Sequence, residues 1–283
     1  MAETEAQKRV RRKEAAGRAW GEGDPRRLFA RLEPAAELLL DASGVAPGLR
    51  LLDVGAGDGN LAVMAARAGA DVVASDLSPV LVERGRERSQ AAGVDVQWDV
   101  ADVEALPYAD ESFDCVASNF GVIYVDDPRR AVAELERVLH PSGTLALTAW
   151  APSGLMGAVL RLAEERSGSV PAGARPDRWG RYETAMLHFT RFEVFEMVDA
   201  TLRMEFDTEV ELVELFLSPP GPLAGVDAPG LGDELLRLAA RHRDDSGPGP
   251  VLTLDYAVLS GRRQTAGCPV SASATDSAAD SGG

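Results

Sequence analysis

Cysteine is nearly absent: Cys115 and Cys268 are the only two in 283 residues. Cys115 falls in an apolar strand pattern and Cys268 in a polar stretch, so no disulfide is expected and a reducing, cytoplasmic compartment suits the chain. Histidine is scarce too. His140, His188 and His242 stand far apart with no ligand-like partner at short spacing, so no metal site is expected. Basic residues are outnumbered, 29 against 45 acidic, for a net charge of −16. That argues against a nucleic-acid surface, which needs clustered Lys and Arg. The one basic cluster, Lys8, Arg9, Arg11, Arg12 and Lys13, reads as a solvated helix face. No apolar run reaches the length of a membrane span, and the N-terminus has no secretory-signal pattern.

What is present is a 45% hydrophobic chain, long enough to bury a large core. Residues 1–25 predict an N-terminal helical cap, and the spacing of Leu28, Leu32, Ala35, Ala36, Leu39 and Leu40 predicts one helix after Asp24-Pro25. Strands are expected at 50–54, 71–76, 94–99, 113–118 and 143–150, with helices at 59–69, 79–92 and 128–139 between them. Alternation at this spacing means a parallel sheet with helices on both faces. The division expected is a binding core over 26–150, a lid or acceptor region over 151–191, the rest of the sheet over 192–263, and a disordered tail over 264–283.

The most telling run is Leu51-Leu52-Asp53-Val54-Gly55-Ala56-Gly57-Asp58-Gly59-Asn60. An apolar strand ends in an acid, and glycines then alternate into a helix. Glycine permits positive φ and close approach of a ligand to the backbone. The helix start offers free N–H groups. Asp76 ends the next apolar run, 21 residues after Gly55. The pair describes a nucleotide-like ligand, with its polar chain at the glycine turn and its ribose at the acid.

These residues resemble a family. Residues 51–60 are similar to motif I of class I S-adenosylmethionine-dependent methyltransferases, and Ala74-Ser75-Asp76-Leu77-Ser78 to their ribose-binding loop. Residues 99–108 with 112–116 resemble the adenine-binding stretch of the ubiquinone/menaquinone-biosynthesis-like (type 11) branch, and residues 134–145 its approach to strand 5. The resemblance implies a Rossmann-like α/β fold: a seven-stranded, mostly parallel sheet of order 3-2-1-4-5-7-6, the last strand antiparallel. It implies S-adenosyl-L-methionine as cofactor, held by Asp53, Gly55, Ala56, Gly57, Asp76, Leu77, Asp102, Val103 and Asn119. Asp53 would accept from backbone or the cofactor's ammonium, Asp76 from the ribose diol, and Asp102 from the adenine amine, with Leu77 and Val103 flanking the ring. Structural readings stand beside these: Asp53 capping the glycine turn, Asp76 or Ser78 capping a helix, Asp102 forming an Asx turn, Asn119 packing at a strand end, and His140 closing a helix.

The implied reaction is in-line methyl transfer to a small-molecule acceptor, a secondary metabolite or quinone-like compound. No base stands out; His188, Tyr124 and Asp126 are the candidates. A repurposed S-adenosylmethionine-binding protein, cyclase-like or regulatory, is the alternative. An NAD(P)-dependent oxidoreductase fits less well, because position 60 is Asn where the dinucleotide turn wants glycine and no Tyr-x-x-x-Lys pair occurs. A small-molecule partner, no nucleic acid, and a monomer or homodimer are expected.

Overall fold

The structure, a computed structural model, describes residues 3–167, 176–219, 221–244 and 249–264. Its centre is β1 (Arg50–Val54), whose last four residues are all buried. A strand covered on both faces can be apolar throughout, and the buried part of this one is, except for Asp53. β1 pairs in parallel with β2 (Asp71–Asp76) on one side and β4 (Phe113–Ser118) on the other. β3 (Gln97–Val100) extends the sheet past β2, and β5 (Leu139–Trp150) extends it past β4, both in parallel. β8 (Val251–Arg263) then runs antiparallel to both β5 and β6 (Phe192–Glu205).

The resulting order, β3-β2-β1-β4-β5-β8-β6, is the Rossmann-like mixed sheet expected. One detail differs: a two-residue strand, β7 (Arg243–Asp244), pairs with β8, so the antiparallel strand is the eighth along the chain. Because the chain leaves β1 toward β2 and later returns to its other side at β4, the order reverses there. Open α/β sheets bind ligands at the carboxyl ends of strands beside that reversal.

The crossovers are α4 (Asn60–Arg67), α5 (Pro79–Ala92) and α6 (Pro128–Val138). Ahead of the sheet lie α1 (Glu5–Gly21), α2 (Arg26–Arg31) and α3 (Glu33–Ser43). The single helix expected after Pro25 is in fact two, broken at Leu32. Pro34 explains the break: it has no N–H for the ladder and crowds the turn before it. Pro25 takes the N-cap position rather than the first helical one. His140 does not close a helix; α6 stops at Val138, and Leu139 already pairs with Phe113 in β5.

α1 packs on the turn after β2, where a Cβ on Gly17 would meet the Leu77 carbonyl oxygen at 2.6 Å. After β5 come α7 (Leu155–Ser167), α8 (Pro176–Trp179), α9 (Tyr182–Met186), α10 (Glu209–Leu217) and α11 (Leu231–Ala239). Residues 168–175 of the expected lid region, and the expected tail from 265 on, lie outside the described residues. Among the described residues, no helix is long and apolar enough to cross a membrane.

Candidate active site

The glycine turn leaves β1 with Gly55 and Gly57 at φ +62° and +59°, the left-handed region. Gly55 also touches the loop after β4: a Cβ on Gly121 would lie 2.5 Å from the Gly55 carbonyl oxygen. Side chains at either place would force the two loops apart. Gly59 then starts α4 as its N-cap, so the turn ends on free helix N–H groups.

Asp53 sits beneath this turn, 1% exposed. Neither carboxylate oxygen has a hydrogen-bond partner. Burial pushes its pKa up to about 8, the Ala62 N–H pulling the other way and the nearby Asp76 charge adding to the rise. An unpaired buried carboxylate is costly, and a cationic group would relieve it. Asp76 is also buried but better served. Its Oδ2 accepts the Gly57 N–H at 3.0 Å and its Oδ1 the Ser78 N–H at 2.8 Å. Burial raises its pKa to about 6 against the pull of those bonds. A carboxylate has roughly four acceptor sites, so two remain for a diol. Ser78 occupies the N-cap of α5, but its hydroxyl is buried without a partner and makes no cap bond. Gly21 of α1 packs onto that hydroxyl, and Asp76 takes the Ser78 N–H instead.

Asp102 forms the Asx turn, accepting the Glu104 N–H at 3.0 Å, and also receives Lys13 Nζ at 3.3 Å. Arg9 stands 3.5 Å from its other oxygen. Glu104 is the hub of this corner. Its side chain is 1% exposed, and Oε1 takes Lys13 Nζ at 2.5 Å and the N–H groups of Asp126 and Asp127 at 2.8 and 3.0 Å. The basic cluster of α1 is thus not simply a solvated face. Lys13 is 12% exposed and reaches inward, while Arg11 is 73% exposed. Asn119 is fixed by Thr148, whose hydroxyl donates to Oδ1 at 3.0 Å, and donates from Nδ2 to the Leu32 carbonyl at 3.4 Å.

One cavity joins these groups. All nine residues expected at the cofactor, Asp53, Gly55, Ala56, Gly57, Asp76, Leu77, Asp102, Val103 and Asn119, line it. It encloses about 1360 Å³ of empty space, its mouth included. Elsewhere the wall turns aromatic, with Trp20, Phe120, Tyr124, Trp150 and Phe216, while Phe29 lies against Gly57 of the glycine turn. Phe120 stacks on Trp150 at 3.8 Å and 12°, and Trp20 meets Tyr124 edge-on at 5.0 Å. Phe120 also holds φ +60°, rare for a bulky residue and worth roughly 1–3 kcal/mol of strain. Its N–H bond to Thr148 Oγ1 at 2.8 Å and the Trp150 stack hold it there.

Of the three catalytic candidates only Tyr124 lines the cavity. His188 lies against Trp179, ring centres 5.3 Å apart, its pKa lowered by burial and by Arg178 and Arg129. Asp126 pairs with Arg12 at 2.9 Å, outside the lining. Lys13, expected on a solvated face, lines the cavity as well, while Trp20 and Phe29 fall in the 16–30 stretch and Met204 in the 151–225 stretch where the acceptor pocket is expected.

A family model described as a methyltransferase domain matches residues 52–147, the stretch that carries this cradle. An uncharacterised protein of Mycobacterium tuberculosis is 33% identical over 247 residues, 82% of this chain and 88% of that one. This chain belongs to the S-adenosylmethionine-dependent methyltransferase family. The demethylmenaquinone methyltransferase of Renibacterium salmoninarum is 43% identical over 110 residues, 39% of this chain and 45% of that enzyme. The YcgJ protein of Bacillus subtilis shares the fold, with a TM-score of 0.61 at 21% identity over 81% of this methyltransferase and 98% of that chain. The donor set of this methyltransferase suits its cofactor: an orphaned buried acid for a cationic amino-acid end, and a half-free buried carboxylate for a diol.

Proposed function

We propose that this protein transfers the methyl of S-adenosylmethionine to an uncharged, oxygenated aromatic molecule of the quinol or phenol type. The observation that carries the proposal is the orphaned Asp53 carboxylate opening into a cavity whose far half is apolar. When bound, S-adenosylmethionine supplies an electrophilic methyl, which passes to the acceptor while sulfur keeps the bonding pair. Asp53 holds the cationic amino-acid end and Asp76 the ribose diol. Asp102 and the Val103 backbone meet the adenine edge, and Leu77 and Val103 cover its faces. Asn119, locked by Thr148, closes the floor between the two halves.

The acceptor half selects by what it lacks. The cavity's one lining cation, Lys13, is held by Glu104 and Asp102, and the aromatic half carries no Arg or His to pair with a carboxylate or phosphate. Burying such an anion unpaired would cost several kcal/mol. Tyr124 is its only titratable group, and burial pushes that phenol up to about 12, so it is not a base near neutral pH. A hydroquinone or phenol must give up its proton as the methyl arrives, and with no base on this wall near neutral pH that proton passes to water at the cavity mouth. Likeness to a demethylmenaquinone methyltransferase supports the same class. The free, buried Cys115 suits a cytoplasmic setting.

The test is S-adenosylhomocysteine release from S-adenosylmethionine with hydroquinones and phenols, set beside aryl carboxylates and prenyl diphosphates. Turnover confined to the uncharged aromatics is expected. Tight cofactor binding with no product on any acceptor would replace this reading with a non-catalytic or cyclase-like one.

A further inference from the structure

Trp150 ends β5, where it pairs with Tyr256 of β8, and its ring is clamped against Phe120. Its indole therefore has little freedom. An indole N–H can only donate, and this one donates to the Tyr124 hydroxyl oxygen at 3.3 Å. The Tyr124 oxygen is thus committed as an acceptor on that side, and its own proton must point elsewhere. Among the described residues nothing accepts that proton. Tyr124 lies in the short 3-10 turn Val122–Tyr124, which follows directly from the Asn119–Gly121 floor. Its ring is held edge-on by Trp20. A donor whose direction is set from behind, on the wall of an apolar cavity, is built to meet an oxygen on the guest.

We propose that Tyr124, oriented by Trp150, donates a hydrogen bond to an oxygen of the methyl acceptor and so holds the acceptor's nucleophilic atom on axis with the methyl. This rests on the acceptor reading of the cavity. A neutral donor suits the task, since it would hold an acceptor oxygen whether or not that oxygen has lost its proton. Position matters more here than acid strength, because in-line transfer depends on alignment.

The test uses two probes of similar shape, 1,4-naphthoquinone and naphthalene, bound to the full chain in equilibrium dialysis with S-adenosylhomocysteine present. The quinone oxygens can only accept, so any hydrogen bond must come from the protein. Tyr124→Phe should weaken naphthoquinone about five- to tenfold, the worth of one neutral hydrogen bond, and leave naphthalene and S-adenosylhomocysteine affinity unchanged. Trp150→Phe keeps an aromatic face for Phe120 but frees the Tyr124 hydroxyl to turn, and should weaken naphthoquinone about two- to fivefold. Equal loss for both probes in Tyr124→Phe would reduce the residue to packing and overturn the proposal. So would no loss for either probe. Should neither probe bind the wild type, the acceptor class itself fails, a different outcome from binding without dependence on Tyr124. If Tyr124→Phe loses S-adenosylhomocysteine binding, Trp150→Phe decides the matter on the same two probes.

Discussion

Replacing Asp53 by Asn tests the cradle through proton linkage. Asp53 is raised from 3.8 to about 8 because both oxygens are buried and unpartnered. The sign follows from the direction of the shift. Between about pH 4 and 8 the ligand-free fold keeps a proton that the unfolded chain has released. Stability of the ligand-free protein therefore falls as pH rises through that window, in total by something on the order of 5 kcal/mol. Asparagine cannot ionise, so Asp53→Asn should lose that slope and be the more stable protein at pH 8. Cofactor binding runs the other way. A cationic ligand pairs with the ionised acid, so below pH 8 binding must release a proton. Affinity should then rise roughly fivefold from pH 6.5 to 7.5, because an α-amino group that titrates near 7.7–8.0 begins to lose its own charge at the upper end. That interval lies above the Asp76 value of about 6. Calorimetry with S-adenosylmethionine in buffers of different ionisation heat should find close to one proton released at pH 6.5. In Asp53→Asn the affinity should be weaker at pH 7.5 and flat across the interval. A wild-type affinity that stays constant within twofold, with no proton released, would refute the reasoning.

Other outcomes follow from the same geometry. Asp76→Ala removes charged hydrogen-bond acceptors from a diol and from Gly57 and Ser78, so cofactor affinity should fall at least tenfold by calorimetry, roughly 1.5–3 kcal/mol; unchanged affinity would sink the ribose assignment. Gly121→Ala sets a methyl against the Gly55 backbone, which cannot yield, and should cost about 1–3 kcal/mol in urea unfolding and weaken the cofactor. Lys13→Ala leaves Glu104 with Arg9 at 3.7 Å as its one cation and two backbone N–H groups, so a loss of about 1–3 kcal/mol is expected by the same measurement. An unmoved unfolding midpoint in either variant would count against these contacts.

Much of the site was legible because its chemistry is local. The glycine turn, Asp53 and Asp76 lie within one strand–helix–strand unit, where spacing along the chain fixes spacing in space. Strands β1, β2 and β4 and helix α5 fall where apolar runs and Pro79 put them. What could not be read came from distant partners. Lys13 looks like one charge in a solvated run until the fold brings Glu104 and Asp102 to it from 91 and 89 residues away. His188 looked available for catalysis, yet it stacks on Trp179 outside the cavity. The break at Leu32 was visible in Glu33-Pro34 but was masked by the unbroken helical spacing of the leucines around it.

The back-to-back contact of Gly55 and Gly121 ties the donor's turn to the loop that bears Asn119, Phe120 and Tyr124. With no side chain between them, neither backbone has slack to shift alone. A donor that shifts the glycine turn must therefore press on the loop after β4. By whatever factor a bound donor changes acceptor affinity, the acceptor must change donor affinity equally. Either guest can then prepare the site for the other through a contact that touches neither one's reacting atoms.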